Sequence, residues 1–94
     1  MSGATLLMSL AGEFLGTYLL VLSFFASGAN PVVVGLTLAL IVFLIGGVSG
    51  ANVNPAVSLA SLMNGFMDGT KFISYVVVQM VGGAAAYYTY QALM

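Results

Sequence analysis

Hydrophobic positions form three long runs along the chain, separated by short groups of Gly, Asn, Ser and Pro. The runs cover about residues 6–27, 32–48 and 72–93, and a helix of such a length crosses the ~30 Å hydrocarbon core of a bilayer. Between the first two runs lies SGANP, residues 27–31, in which Asn-Pro indicates a chain reversal. The pattern predicts an all-α membrane protein with three transmembrane helices.

A fourth helical segment is too short to span the bilayer. It lies within SGANVNPAVSLA, residues 49–60, where Asn54 is a favoured N-cap and Pro55 is favoured at the first helical position. Gly65 is expected to end this helix, so it covers about residues 54–64 and a length of roughly 16 Å, half of the hydrocarbon core. We therefore predict a re-entrant half-helix whose N-terminus lies near the bilayer midplane.

The alternative for this segment is an interfacial helix that lies flat on the membrane. Such a helix needs a strongly polar face, which Ser58, Ser61 and Asn64 provide only weakly. The only polar loop is then MDGTK, residues 67–71, which precedes the third span.

Composition narrows the class of protein further. The chain has 94 residues, of which 62% are hydrophobic and 3% charged, whereas about 25% of the residues of a soluble domain are charged. The chain is therefore predicted to be an integral multi-pass membrane protein. A net charge of −1 leaves no basic patch for nucleic acid. With no Cys, no His and two carboxylates far apart in sequence, we expect neither an enzyme nor a metal or cofactor site.

The first apolar run is expected to be a retained span, because no positive segment precedes it as in a signal peptide. A further alternative is that the chain is one fragment of a longer gene product. The initial Met and the complete third span make this the less favoured interpretation.

The segment at residues 49–58 resembles the first signature loop of the major intrinsic proteins, the aquaporins and glycerol facilitators. Their usual pattern is Ser-Gly-Ala-His-x-Asn-Pro-Ala-Val-Thr, and here Asn52 replaces the His and Ser58 the Thr. GEFLGTYLLVL (12–22) and QMVGGAAAY (79–87) are similar to the first and third helices of that family. The resemblance covers essentially the whole chain. It implies a passive channel for water or for small neutral solutes such as glycerol.

The chain differs from that family in having one half instead of two. Family members have six spans and two Asn-Pro-Ala loops in halves of inverted topology. Alone in lipid, the backbone of residues 49–53 would be exposed, at a cost of several kcal/mol for each unsatisfied group. A second copy inserted upside down would cover it. We therefore predict half of an aquaporin-like fold that is completed by antiparallel dimerisation.

Charge poverty fits this arrangement, because Lys and Arg in short loops set the orientation of a membrane protein. One Lys and no Arg leave little bias toward either orientation in the membrane, as dual topology requires. Small hydrophobic proteins, however, often contain few charged residues. By resemblance, four pores could cluster, which would give eight chains.

The resemblance implies a role for each residue of the loop. Two copies of Asn54 would donate hydrogen bonds at the pore centre, where two half-helix N-termini oppose cations and protons. Pro55 and Ala56 would form the contact between the two loops. A ladder of carbonyl acceptors along the pore would come from Gly50, Ala51, Asn52 and Val53.

Glu13 lies inside a span and is the strongest candidate for a buried functional group. By resemblance Glu13 braces the re-entrant loop, and Gln79 acts likewise. Thr17, on the next turn of the helix, is expected to form a hydrogen bond with the Glu13 carboxylate. The alternative is a proton-relay role for Glu13. The pairs Gly12/Gly16 and Gly46/Gly50 predict close helix crossings.

The family's constriction maps, by resemblance, to a ring of small apolar residues. Each mouth would take one residue from one chain and three from its antiparallel partner, and the four positions are Val34, Val42, Ala51 and Val57. That ring has neither an Arg nor an aromatic wall, so it should be wide enough for glycerol-sized neutral solutes. If the register of this mapping is shifted by one helical turn, a neighbouring residue such as Leu38 lies in the ring instead.

Two alternative functions stay open at this point. The chain could be a non-conducting interaction subunit that pairs with another channel half. It could also be a proton-coupled carrier that uses Glu13.

Overall fold

The structure is a computed structural model that describes residues 5–94. Within these residues the chain forms four helices and no strand: α1 (Leu6–Ala26), α2 (Pro31–Ser49), α3 (Pro55–Met63) and α4 (Gly69–Leu93). α1, α2 and α4 are long and apolar enough to cross a membrane. The prediction of an all-α membrane protein with three spans and one short helix is confirmed.

Each helix begins at a polar residue whose side chain accepts a hydrogen bond from the first turn. The four caps are Thr5, Asn30, Asn54 and Asp68. At α2 and α3 the cap is an Asn followed by Pro, which lacks an N–H and is therefore well suited to the first helical position. α2 ends at Gly50, which adopts a left-handed conformation with φ +87°.

The third span begins earlier than the sequence predicted. α4 starts at Gly69 instead of residue 72, because the Asp68 side chain accepts a hydrogen bond from the N–H of Lys71 at 2.8 Å. The polar segment 67–71 is therefore not wholly a loop, since Lys71 already lies in the first turn of α4. The other predicted bounds differ from the observed ones by at most one residue.

Two glycines let the helices and the loop approach closely. A Cβ on Gly16 would lie 2.6 Å from Val53 Cγ1, and a Cβ on Gly82 would lie 2.7 Å from the carbonyl oxygen of Phe14. α1 consequently packs against both α2 and α4, and α3 packs against α4. The crossing predicted at Gly46 and Gly50 is wrong, because Gly46 faces only its own helix and Gly50 is the end of α2.

The buried residues of the described chain are unusually polar, and the exposed ones are apolar. Large side chains such as Leu7, Phe43 and Met63 are more than three-quarters exposed. Six polar side chains are buried instead: Ser9, Glu13, Thr17, Ser49, Ser58 and Gln79. This distribution suits a chain surrounded by lipid, in which buried polar groups bond to each other.

Candidate functional site

The loop between α2 and α3 has a strained backbone. Gly50, Ala51 and Val53 have φ values of +87°, +49° and +45°. A left-handed conformation is a true outlier for a β-branched residue such as Val53, and positions of this kind cost about 1–3 kcal/mol each. Surrounding contacts must therefore hold the loop in place.

Glu13 of α1 is the centre of those contacts. Its Oε1 accepts from the backbone N–H of Val53 at 2.7 Å and from Nε2 of Gln79 at 2.9 Å. Its Oε2 accepts from the backbone N–H of Asn52 at 3.0 Å and from Oγ of Ser49 at 2.6 Å. The carboxylate has no exposed surface. Charge-assisted hydrogen bonds of this kind are about twice as strong as neutral ones, so they offset the strain of the loop.

A second set of hydrogen bonds fixes the short helix behind the loop. Ser58 of α3 is fully buried, and its Oγ accepts from Nε2 of Gln79 at 2.8 Å and from Nδ2 of Asn52 at 3.1 Å. At the end of α2, the hydroxyl of the buried Tyr75 donates to the carbonyl oxygen of Ser49 at 2.6 Å. The loop is thus held by α1, α3 and α4 together.

Sequence reasoning did not assign roles to Ser49, Ser58 or Tyr75. One signal was available, because a polar group inside an apolar span must find a partner. What the sequence could not supply is the identity of each partner.

Thr17 does not play the predicted part. Its hydroxyl oxygen is buried and forms no hydrogen bond within the described residues, so the expectation that it satisfies Glu13 is wrong. Oε1 of Gln79 is likewise buried without a partner there. Both side chains line one cavity of about 550 Å³ between α1 and α4, which also borders Asn54 and Pro55. We call this cavity the α1–α4 groove.

Asn54, Pro55 and Ala56 lie at the tip of the re-entrant segment. Oδ1 of Asn54 accepts from the N–H of Ala56 at 2.7 Å, so the helix cap does not use the two Nδ2 donors of this exposed side chain. Ala56 is exposed and Pro55 half-buried. A donor amide therefore sits at the positive end of the α3 dipole.

The four residues before this tip differ in what they can present to a pore. The side chains of Ala51 and Val53 are covered, with 8% and 3% exposure, so only their backbone carbonyls could serve as acceptors. Asn52 is half-buried, and its Nδ2 is occupied by Ser58. Gly50 is exposed.

The proposed constriction residues lie on three different elements. Val34 on α2 is half-buried, whereas Val42 on α2 and Val57 on α3 are about half exposed, at 48% and 45%. Val34 lines an apolar cavity of about 440 Å³. The neighbours in that cavity include Leu38, Phe24 and Phe25. The sequence mapping considered no position on α1 and therefore did not include these two aromatic side chains.

Three apolar spanning helices and a re-entrant half-helix, with its loop held by a buried carboxylate, define a class of integral multi-pass membrane protein. Comparison with known proteins gives the family. The family profile described as Major intrinsic protein matches residues 1–94. The chain belongs to the major intrinsic protein family, as the sequence motifs predicted.

Several curated proteins are similar to the chain. It is 34% identical to Glycerol uptake facilitator protein-like 6 of Lactiplantibacillus plantarum, over 79% of this chain and 38% of that protein. It is 37% identical to Glycerol uptake facilitator protein of Haemophilus influenzae, over 76% of this chain and 32% of the relative. Aquaporin NIP1-1 of Arabidopsis thaliana is 33% identical, over 93% of this chain and 34% of that protein. The chain thus spans about a third of the length of these relatives. No solved structure matches it.

Proposed function

We propose that the protein is a passive membrane channel for water and small neutral solutes such as glycerol, with the pore formed by two oppositely oriented copies. Membership of the major intrinsic protein family supports the channel, and the names of its relatives support both kinds of solute. By resemblance the chain corresponds to one half of the family's fold, and the proposal assigns the other half to a second copy. The α1–α4 groove is the observation that favours a second copy as that half.

The groove borders the N-terminus of α3, at Asn54 and Pro55. With nine residues, α3 is about 14 Å long and fills only half of the hydrocarbon thickness. Thr17, Gln79, Asn54 and Pro55 border the space of about 550 Å³ that is left. Two of these side chains carry buried atoms that have no hydrogen-bond partner within residues 5–94. An occupant with both apolar and hydrogen-bonding groups would satisfy them.

The N-terminal end of a second α3 has this chemistry. In a two-fold interface, the same patch on both copies makes reciprocal contacts. The exposed tip at Asn54–Ala56 of each copy would therefore enter the groove that borders the same tip of the other. Half-helices that meet N-terminus to N-terminus at the midplane also occur in inverted-repeat transporters. Four such pores, with eight chains in all, would follow the family resemblance.

The proposed pore is suited to neutral solutes. Two Asn54 amides would donate hydrogen bonds at its centre, and loop carbonyls would accept them on either side. The two helix N-termini would make the centre unfavourable for cations. A channel of this design requires no chemistry, metal or cofactor.

Cysteine cross-linking tests the antiparallel pair, and the absence of native Cys makes every cross-link assignable. We expect Ala56→Cys to form covalent dimers in liposomes under oxidising conditions, because the two tips would meet. Met63→Cys is the matched control, seven residues and about 10 Å along α3. Two such residues would approach opposite membrane faces, beyond the ~7 Å Cα separation that a disulfide allows. Dimers from Met63→Cys but not from Ala56→Cys would refute the arrangement.

Narrowing the constriction should separate the two solutes. Val34→Phe and Val57→Arg each add bulk to the proposed ring, so glycerol flux should fall several-fold more than water flux, because glycerol is the larger solute. Both fluxes are measured in liposomes by light scattering after osmotic shock. Phe43→Leu, on the most exposed side of α2 at 82%, is the control. Equal, negligible effects of both valine changes would show that these residues do not line the constriction.

Transport should not be coupled to protons. The carboxylate of Glu13 is fully buried, and each of its oxygens already accepts two hydrogen bonds, so protonation would displace a donor that holds the loop. A pH gradient of one unit imposed on liposomes should therefore cause no accumulation of glycerol. A carrier that moves one proton with each solute would reach about tenfold accumulation. Accumulation of that size would favour the proton-coupled alternative.

Flux in liposomes that contain only this chain also tests the non-conducting alternative. Water flux well above that of empty liposomes is the expected result. If flux appeared only after a second, different channel half was added, the chain would be an interaction subunit.

A further inference from the structure

A third cavity, of about 560 Å³, opens where the loop leaves α2. Gly50 and Asn52 of the loop line it together with Ser61, Phe66 and Lys71. We call it the loop cavity. Ser61 is near the end of α3, Phe66 precedes α4 and Lys71 is in the first turn of α4. The cavity therefore lies toward the membrane face at which α3 ends and α4 begins.

Lys71 is the only Lys or Arg of the chain, and it lines this cavity. Nζ lies 5.6 Å from the centroid of the Tyr75 ring, within the ~6 Å at which the face of an aromatic ring attracts a cation. Tyr75 is fully buried, and its hydroxyl donates to the carbonyl oxygen of Ser49. The charge is thus held over a ring that is itself bonded to the start of the loop.

The chain's two carboxylate side chains do not line the loop cavity. Asp68 is exposed, and its Oδ1 accepts from the backbone N–H of Lys71 at 2.8 Å, which uses that oxygen to cap α4. Glu13 lies behind the loop with no exposed surface and accepts four hydrogen bonds. The charge that faces the cavity is therefore positive.

We infer that Lys71 adds to the specificity of the channel against cations by making each entrance electropositive. This inference rests on the proposed function, in which two antiparallel copies form one pore and the loop of each copy leads from one mouth toward its centre. Two antiparallel copies then give each mouth one ammonium group. The position Val57, to which the Arg of the family's constriction maps from the second Asn-Pro-Ala loop, carries no charge in this chain. Lys71 supplies a charge at the same mouth from a different helix.

The size of the effect follows from Coulomb's law. At an effective dielectric constant of about 20 and a separation of about 12 Å, a unit charge lowers the local concentration of a monovalent cation roughly tenfold. A neutral solute feels no such repulsion. Loss of the charge should therefore raise cation leak relative to water flux.

The test measures potassium leak and water flux on the same liposomes, made of neutral phosphatidylcholine so that the lipid adds no net charge. We expect Lys71→Gln to raise the ratio of leak to water flux about tenfold and Lys71→Glu to raise it further. Lys71→Arg should keep the original ratio because it keeps the charge. Equal ratios in the original chain, Lys71→Gln and Lys71→Glu would overturn the inference.

A matched control separates the position of the charge from its effect on membrane orientation. The double change Thr70→Lys with Lys71→Thr keeps the net charge and moves the cation by one residue, about 100° around the helix. Thr70 is exposed and does not line the loop cavity. The double variant should show the same raised ratio of potassium leak to water flux as Lys71→Gln. A ratio equal to that of the original chain would overturn the inference.

The same experiment distinguishes this inference from the proposed function. Water flux no higher than that of empty liposomes would overturn the proposed function, and the inference with it. Normal water flux, together with a ratio of potassium leak to water flux that is the same in all variants of Lys71, would overturn the inference alone.

Discussion

Glu13→Gln should abolish conduction while leaving the chain in the membrane. The amide keeps one acceptor oxygen and presents an NH₂ group to donors that already point at it, two of which are the N–H groups of Asn52 and Val53. A buried donor that is left without an acceptor costs about 1–3 kcal/mol. The strained loop would no longer be held, so water flux should fall at least tenfold. Flux in liposomes and thermal unfolding in detergent measure the two consequences.

Two serine-to-alanine changes provide a test of the Glu13 contacts and its matched control. Ser49→Ala removes the donor to Oε2 of Glu13 at 2.6 Å and an acceptor for the N–H of Ala51 at 3.1 Å, so it should cause a partial loss of flux. Ser74→Ala makes the same chemical change on α4, where the hydroxyl bonds only to the carbonyl of Thr70 in its own helix. It should have little effect. Full flux from a well-expressed Glu13→Gln protein would show that the carboxylate does not hold the loop.

Fixing the orientation of the chain should have an equally large effect. With one Lys and no Arg, the sequence gives almost no preference for either orientation. Three Lys added before the first residue should hold that end in the cytoplasm. All copies would then insert one way and no antiparallel pair could form, so flux should collapse to the level of empty liposomes although expression persists.

Placing the same charge at the other end of the chain tests the reverse orientation. Three Lys added after the last residue should impose the opposite orientation, because three spans place the two ends on opposite sides of the membrane. Each variant alone should be inactive, and co-expression of the two should restore flux. An impermeant thiol reagent on an added Cys reports the orientation. Full flux from a uniformly oriented population would rule out the antiparallel pore.

Several features of the protein could be predicted from local sequence alone. Contiguous hydrophobicity decides which segments insert in lipid, so the three spans and the half-length fourth helix were predictable. Asn followed by Pro at the start of α2 and α3 fixed two helix starts. Asp68 was a usable cap signal for α4 that the prediction overlooked. The loop motif, together with two helix segments, was specific enough to give the family.

The contacts of the candidate site depend on tertiary structure. Glu13 bonds to the backbone 39 and 40 residues away and to Gln79 across 66 residues. The sequence named Glu13 and Gln79 as braces only through the resemblance. It did not assign the parts of Ser58 and Tyr75, and it gave Thr17 a bond that the structure lacks.

The difference between the features that local sequence predicted and the contacts that it did not predict has a physical cause. Insertion into lipid depends on the summed hydropathy of one segment, which the sequence states directly. The partner of a buried polar group depends on how helices cross, and here the crossing is set by close approaches at Gly16 and Gly82. The φ of +45° at Val53 arises in the same way, because long-range hydrogen bonds impose a backbone conformation that a β-branched residue avoids. The sequence by itself therefore determined the membrane class, the spans and the place of the re-entrant loop. Only the packing of α1, α3 and α4 decided which side chains hold that loop and which polar atoms are left without a partner beside its tip.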